Sequence, residues 1–80
     1  MNAASHSELV TLARYRLLRN RMSYADTMRV LGGAGTPRRS FVAGAETVAY
    51  RWAADGDLAA NVKVVFRNDL LVFKEQFGLK

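Results

Sequence analysis

Apolar residues recur along this chain at two different periods. From Leu9 to Leu31 they return every three to four positions, as on one face of a helix, and from Val48 onward they alternate with polar ones, as along a strand. The first helical run is predicted from about His6 to Asn20. Ser5-His6-Ser7-Glu8 forms a capping box at its start. Leu9, Leu12, Tyr15 or Arg16, and Leu18 or Arg19 make the apolar stripe, widened by Ala13 and Leu17. The second run has clearer punctuation. Ser23 can accept a backbone N–H at the N-cap, with Asp26 three residues on. Tyr24, Thr27 or Met28, and Leu31 share a face, and Gly32 can end the helix in the left-handed conformation. Asn20-Arg21 is a short connection and Met22 a candidate hydrophobic staple, so the two helices are expected to form a hairpin.

Gly32 to Ser40 holds three glycines and the only proline, and reads as a loop. Strands are predicted over Glu46–Ala53, Asn61–Arg67 and Leu70–Glu75, and a short extra strand over Ser40–Ala43 would make a fourth. Ala54-Asp55-Gly56-Asp57 is a turn signal. Asn68-Asp69 suits a two-residue hairpin, because both residues tolerate positive φ. Such a turn fixes the register: Arg67 opposite Leu70, Phe66 opposite Leu71, Val64 opposite Phe73. One sheet face is then Val48, Tyr50, Trp52, Val62, Val64, Phe66, Leu71 and Phe73, the expected core side. The expected fold class is α+β, two-layered, with an N-terminal helical hairpin packed on a three- to four-stranded antiparallel sheet. Within a single domain over 1–80, residues 1–5 are read as a frayed tail, 6–31 as the hairpin, 32–40 as the Gly-rich loop, 41–75 as the sheet and 76–80 as a tail.

Composition sharpens this in three ways. Eighty residues allow one domain, and half of them are hydrophobic, which favours a globular core over disorder. There is no cysteine to staple the fold or bind a metal. The formal net charge of +5 is uneven. Residues 1–40 carry seven basic side chains against Glu8 and Asp26, whereas the second half is balanced. Such an excess suggests nucleic acid, an anionic surface or an acidic protein as partner. No apolar run is long enough to span a bilayer, and Met1–Ser7 lacks the apolar core of a secretory leader. The expected location is cytoplasmic as the chain is written, or secreted or periplasmic if a leader has been removed.

Reactive chemistry finds little support in these residues. His6 is the sole histidine and has no ligand or carboxylate companion, so neither a metal site nor a Ser-His-Asp triad is expected. Asp55 and Asp57 flank Gly56 as turn residues. The Gly-rich loop follows a helix instead of opening one and lacks the Lys-Ser/Thr of a phosphate-binding loop. The expectation is a non-enzymatic protein with no cofactor. Two surfaces compete as binding sites. The second sheet face mixes Arg51, Lys63 and Arg67 with Val65, Leu70 and Val72, and the loop adds Arg38 and Arg39; this is a candidate protein-docking surface. Alternatively Arg14, Arg16, Arg19 and Arg21, interleaved with Tyr15, could track a nucleic-acid backbone or an anionic surface. Solvated arginines whose stems cover apolar surface explain the same run. An open sheet edge would also allow two copies to pair as a homodimer.

Several short pieces together resemble a known family. Tyr15-x-x-Leu18-x-x-x-Met22-Ser23-Tyr24, Val30-Leu31-Gly32-Gly33-x-Gly35, Tyr50-x-Trp52, Val64-x-Phe66-x-Asn68 and Lys74-x-Gln76-Phe77-Gly78-Leu79 resemble the small bacterial domains of the beta-lactamase-inhibitory-protein-like and SmpA/OmlA (BamE-like) type. The resemblance spans roughly residues 15–79. It implies two helices packed on an antiparallel sheet and a non-enzymatic role. Inhibitory members clamp an enzyme with the open sheet face and loops, and BamE-like members are envelope lipoproteins that support outer-membrane protein assembly. Arg21 stands where the family usually has glycine, no lipobox cysteine is present, and there is one repeat where the inhibitory protein has two. A phage-type inhibitor of a bacterial enzyme complex would be a further use of the same fold.

Overall fold

The computed structural model describes residues 9–42 and 45–80; over 39–42 and 45–46 it describes the backbone. The expected tail at 1–5, the capping box at Ser5–Glu8 and His6 lie outside the described residues. Two short helices, α1 (Leu12–Arg16) and α2 (Tyr24–Leu31), precede four strands: β1 (Thr36–Val42), β2 (Ala45–Ala53), β3 (Gly56–Arg67) and β4 (Leu70–Leu79). The strands form one antiparallel sheet in the order β1-β2-β3-β4. The class is α+β.

Among the described residues, the helix expected over His6–Asn20 is helical over Leu12–Arg16 alone, because the sheet claims the backbone on both sides of it. Val10 donates to the Ala53 carbonyl at 3.0 Å and accepts from the Asp55 N–H at 2.8 Å, which holds it extended and fully buried. Thr11 then becomes the N-cap, its hydroxyl accepting the Arg14 N–H at 3.2 Å. Beyond α1, Arg21 donates to the Leu71 carbonyl and Leu71 donates to that of Met22, both at 2.8 Å. Long-range pairing thus overrides a helical periodicity that is locally adequate.

α2 follows its sequence signals. The Ser23 hydroxyl accepts from Asp26 N at 3.1 Å, and Gly32 closes the helix at φ 87°. Its inward residues are Thr27 and Leu31, both fully buried; Met28 is partly exposed. Thr27 satisfies its own hydroxyl by donating to the Ser23 carbonyl at 2.9 Å. Tyr24 stacks on Tyr50 with ring centroids 4.2 Å apart, and both rings meet Phe66 edge-on at 5.7 Å.

The Gly-rich loop is shorter than expected, since β1 already begins at Thr36. Pro37 is accommodated because β1 is an edge strand, where a missing N–H costs no ladder bond. The expected tail 76–80 is likewise strand up to Leu79. The core gathers Val10, Leu18 and Leu31 against Trp52, Val62, Val64, Phe66 and Leu71. No helix among the described residues is long and apolar enough to cross a membrane.

Candidate functional site

The hairpin turn forms at Asn68-Asp69, with φ of 52° and 66°, and sets Arg67 opposite Leu70 and Phe66 opposite Leu71 as expected. One position later the ladder slips. Val65 pairs with Phe73 and Val64 with Lys74, so Val72 is an extra residue, a β-bulge. This corrects the expected pairing of Val64 with Phe73, and exchanges two side chains between the faces. Lys74 turns to the helix side, where its ammonium donates to the Tyr15 and Leu18 carbonyls at 3.1 and 3.3 Å and lies 4.4 Å from the Tyr15 ring centroid. A cation there interacts favourably with the carbonyls at and just beyond the C-terminal end of α1. Burial, with the Glu75 carboxylate as a second cause, raises the Tyr15 phenol above its ordinary pKa. Phe73 turns to the open face and is 49% exposed.

The register arranges the open face in cross-strand rows. Thr36, Arg51, Lys63 and Glu75 form one. Arg38, Ala49, Val65 and Phe73 form the next. Thr47, Arg67 and Leu70 continue it on one side, and Asn61 with Phe77 on the other. Val72 and Phe77 are 50% and 61% exposed. Thr36, Arg38, Ala49, Arg51, Lys63 and Val65 line a groove of about 620 Å³. Lys63 and Glu75 approach to 4.0 Å.

Most of the anticipated docking residues therefore share a surface: Arg38, Arg51, Lys63, Val65, Arg67, Leu70 and Val72. Arg39 falls opposite Val48, one position out of phase with Arg38. Phe73 and Phe77 belong to the surface but were expected in the core and in the tail. Strand periodicity at Gln76–Leu79 could have signalled Phe77; nothing local signals the bulge that moves Phe73.

The Gly32–Gly35 segment lies against the other side of the sheet. Its Gly33 carbonyl accepts from the Trp52 indole at 2.8 Å and its Ala34 carbonyl from the Tyr24 hydroxyl at 2.6 Å. Gly35, at φ 72°, leaves no room for a side chain, since a Cβ there would stand 2.7 Å from the Trp52 ring. These contacts make the segment a cover for Trp52.

The four helix-region arginines are exposed, but only Arg14 and Arg16 lie on α1. Arg19 and Arg21 fall in the turn beyond it, Arg21 with φ 71°. They form no single helical track. Among the described residues no cluster of His, Asp or Glu is grouped to hold a metal ion. No protein-family model matches the chain, and no curated protein matches it in sequence.

Proposed function

We propose that this domain is a non-enzymatic protein-binding module that docks through the open face of its sheet, in the manner of a small inhibitor. The observation that carries this reading is the apolar surface on that face. Val65, Leu70, Val72 and Phe73 lie together there, and Phe77 lies on the same face beyond the Lys63–Glu75 row; Phe73 is 49% and Phe77 61% exposed. An antiparallel sheet can face water on one side, but water-facing positions gain nothing from phenylalanine. Aromatic and aliphatic groups set among arginines are the composition of an interface centre.

The resemblance to the inhibitory and BamE-like domains supports the same use of the face. Arg21 adds to that support: its φ of 71° is a conformation that favours glycine, the residue those domains usually carry at this place. The Gly-rich loop, engaged with Trp52 and Tyr24, contributes to the fold of the module rather than to its grip.

Affinity capture from a bacterial lysate tests the reading. The parent domain and a Phe73→Ser/Phe77→Ser double variant, matched for folding by circular dichroism, are compared. The double variant should retain about a tenth or less of any specific partner, as for loss of two central aromatic anchors. Equal capture by the folded double variant would exclude the open face as the docking surface.

A further inference from the structure

We propose that the groove on the open face is a carboxylate-receiving subsite, so that the module's partner is an acidic protein surface. The proposal rests on the open-face reading and adds the chemistry of what that face receives. Its starting point is a local conflict. Arg51 and Lys63 stand directly opposite each other on β2 and β3. Side chains so paired begin about 5 Å apart, and like charges there repel at a cost in stability. Arg38, one row along, joins them around the same groove. Its cross-strand partner is Ala49, whose methyl group leaves the floor open between the longer side chains. Glu75 is the acid that the register brings to this row, and it reaches Lys63 only at 4.0 Å, with Glu75 exposed and Lys63 partly so. Such a contact is a weak counterweight to three cations.

An incoming carboxylate removes the conflict. It can sit between Arg51 and Lys63, accept from a guanidinium in the bidentate manner, and turn the repulsion into two attractions. The groove also leads directly onto apolar surface, because Val65 on its wall pairs with Phe73. The complementary partner therefore presents acidic side chains beside an apolar one. A nucleic acid fits less well. A phosphate backbone asks for a continuous positive track, and here Glu75 and the aliphatic side chains of Val65, Leu70 and Val72 interrupt it.

The test is an amide chemical-shift titration of the isotopically labelled domain with three probes. They are the blocked peptide Glu-Glu-Phe-Glu-Glu, its charge-inverted counterpart Lys-Lys-Phe-Lys-Lys, and a short single-stranded oligothymidylate. The acidic peptide should shift amides at Arg38, Ala49, Arg51 and Lys63, and added salt should weaken it. Arg51→Glu should weaken it about tenfold, the scale of one charge-assisted contact. The same spectra report whether the variant is folded, and Lys63→Glu provides an independent second variant. No shifts at millimolar acidic peptide, an equal response to the basic peptide, or unchanged affinity in both folded variants would overturn the proposal. So would shifts centred on Arg14–Arg21, or tighter binding of the oligothymidylate. If the acidic peptide fails while Phe73→Ser/Phe77→Ser still abolishes capture, the docking face stands and its acidic partner falls.

Discussion

The two faces of this sheet are built from the same strands and obey different rules. On the covered face, Trp52, Val62, Val64, Phe66 and Leu71 are each no more than 4% exposed, and the polar atoms nearby are paired. The Trp52 indole and Tyr24 hydroxyl find loop carbonyls, and Lys74 finds those of Tyr15 in α1 and Leu18 beyond it. On the open face, Arg51 faces Lys63 and Phe73 faces water, two arrangements that folding alone does not reward. One face is closed by packing, and the other leaves like charges opposed and aromatic surface exposed. The bulge at Val72 joins them. By inserting one residue it brings the Lys74 ammonium to the Tyr15 and Leu18 carbonyls and gives the open face its phenylalanine.

Substitutions can break this contrast. The largest effect is expected at Phe66, which meets both Tyr24 and Tyr50 edge-on. Phe66→Ala should cost about 3–5 kcal/mol, a large share of the stability of a domain this small, and be read as lost cooperativity in thermal unfolding. Next comes the cover over Trp52. Gly35→Ala forces a Cβ against the indole and strains a positive φ, at a cost of about 1–3 kcal/mol, and should shift the Trp52 fluorescence toward that of an exposed indole. The smallest effect is alkaline. Burial, and secondarily the neighbouring Tyr50, raises the Tyr24 phenol above its ordinary pKa of 10.0. Folding thus favours the neutral phenol. That contribution is full below pH 10.0 and is lost as pH rises through the folded-state value. The melting temperature should fall above pH 10.0, and Tyr24→Phe should flatten the fall at the expense of the bond to Ala34.

What was legible in the residues follows from the range of the forces involved. The α2 punctuation at Ser23 and Gly32, the turn at Asn68-Asp69 and the alternation over Thr47–Ala53 and Asn61–Arg67 are local, and each forms where its pattern places it, although β3 starts earlier than expected, at Gly56 inside the expected turn. That Arg51, Lys63, Val65, Arg67, Leu70 and Val72 share one face was legible for the same reason, since alternation alone puts them there. The features that escaped are set by distant partners. Val10 is extended because Ala53 and Asp55 hold it, and a leucine-spaced run cannot reveal that. Pro37 is in a strand because that strand lies at the edge. Phe73 changes faces through a bulge whose benefit, the Lys74 contacts, lies across 59 and 56 residues of sequence.

The bulge is also where the account is most exposed to test. Urea denaturation of Leu71→Thr and Phe73→Thr, two β-compatible substitutions, separates the registers. With Val72 as the extra residue, Leu71→Thr should cost about 3 kcal/mol, for a cavity and a buried hydroxyl, whereas Phe73→Thr should cost about 1 kcal/mol. A Phe73→Thr penalty equal to or larger than that of Leu71→Thr would place Phe73 in the core and contradict the account.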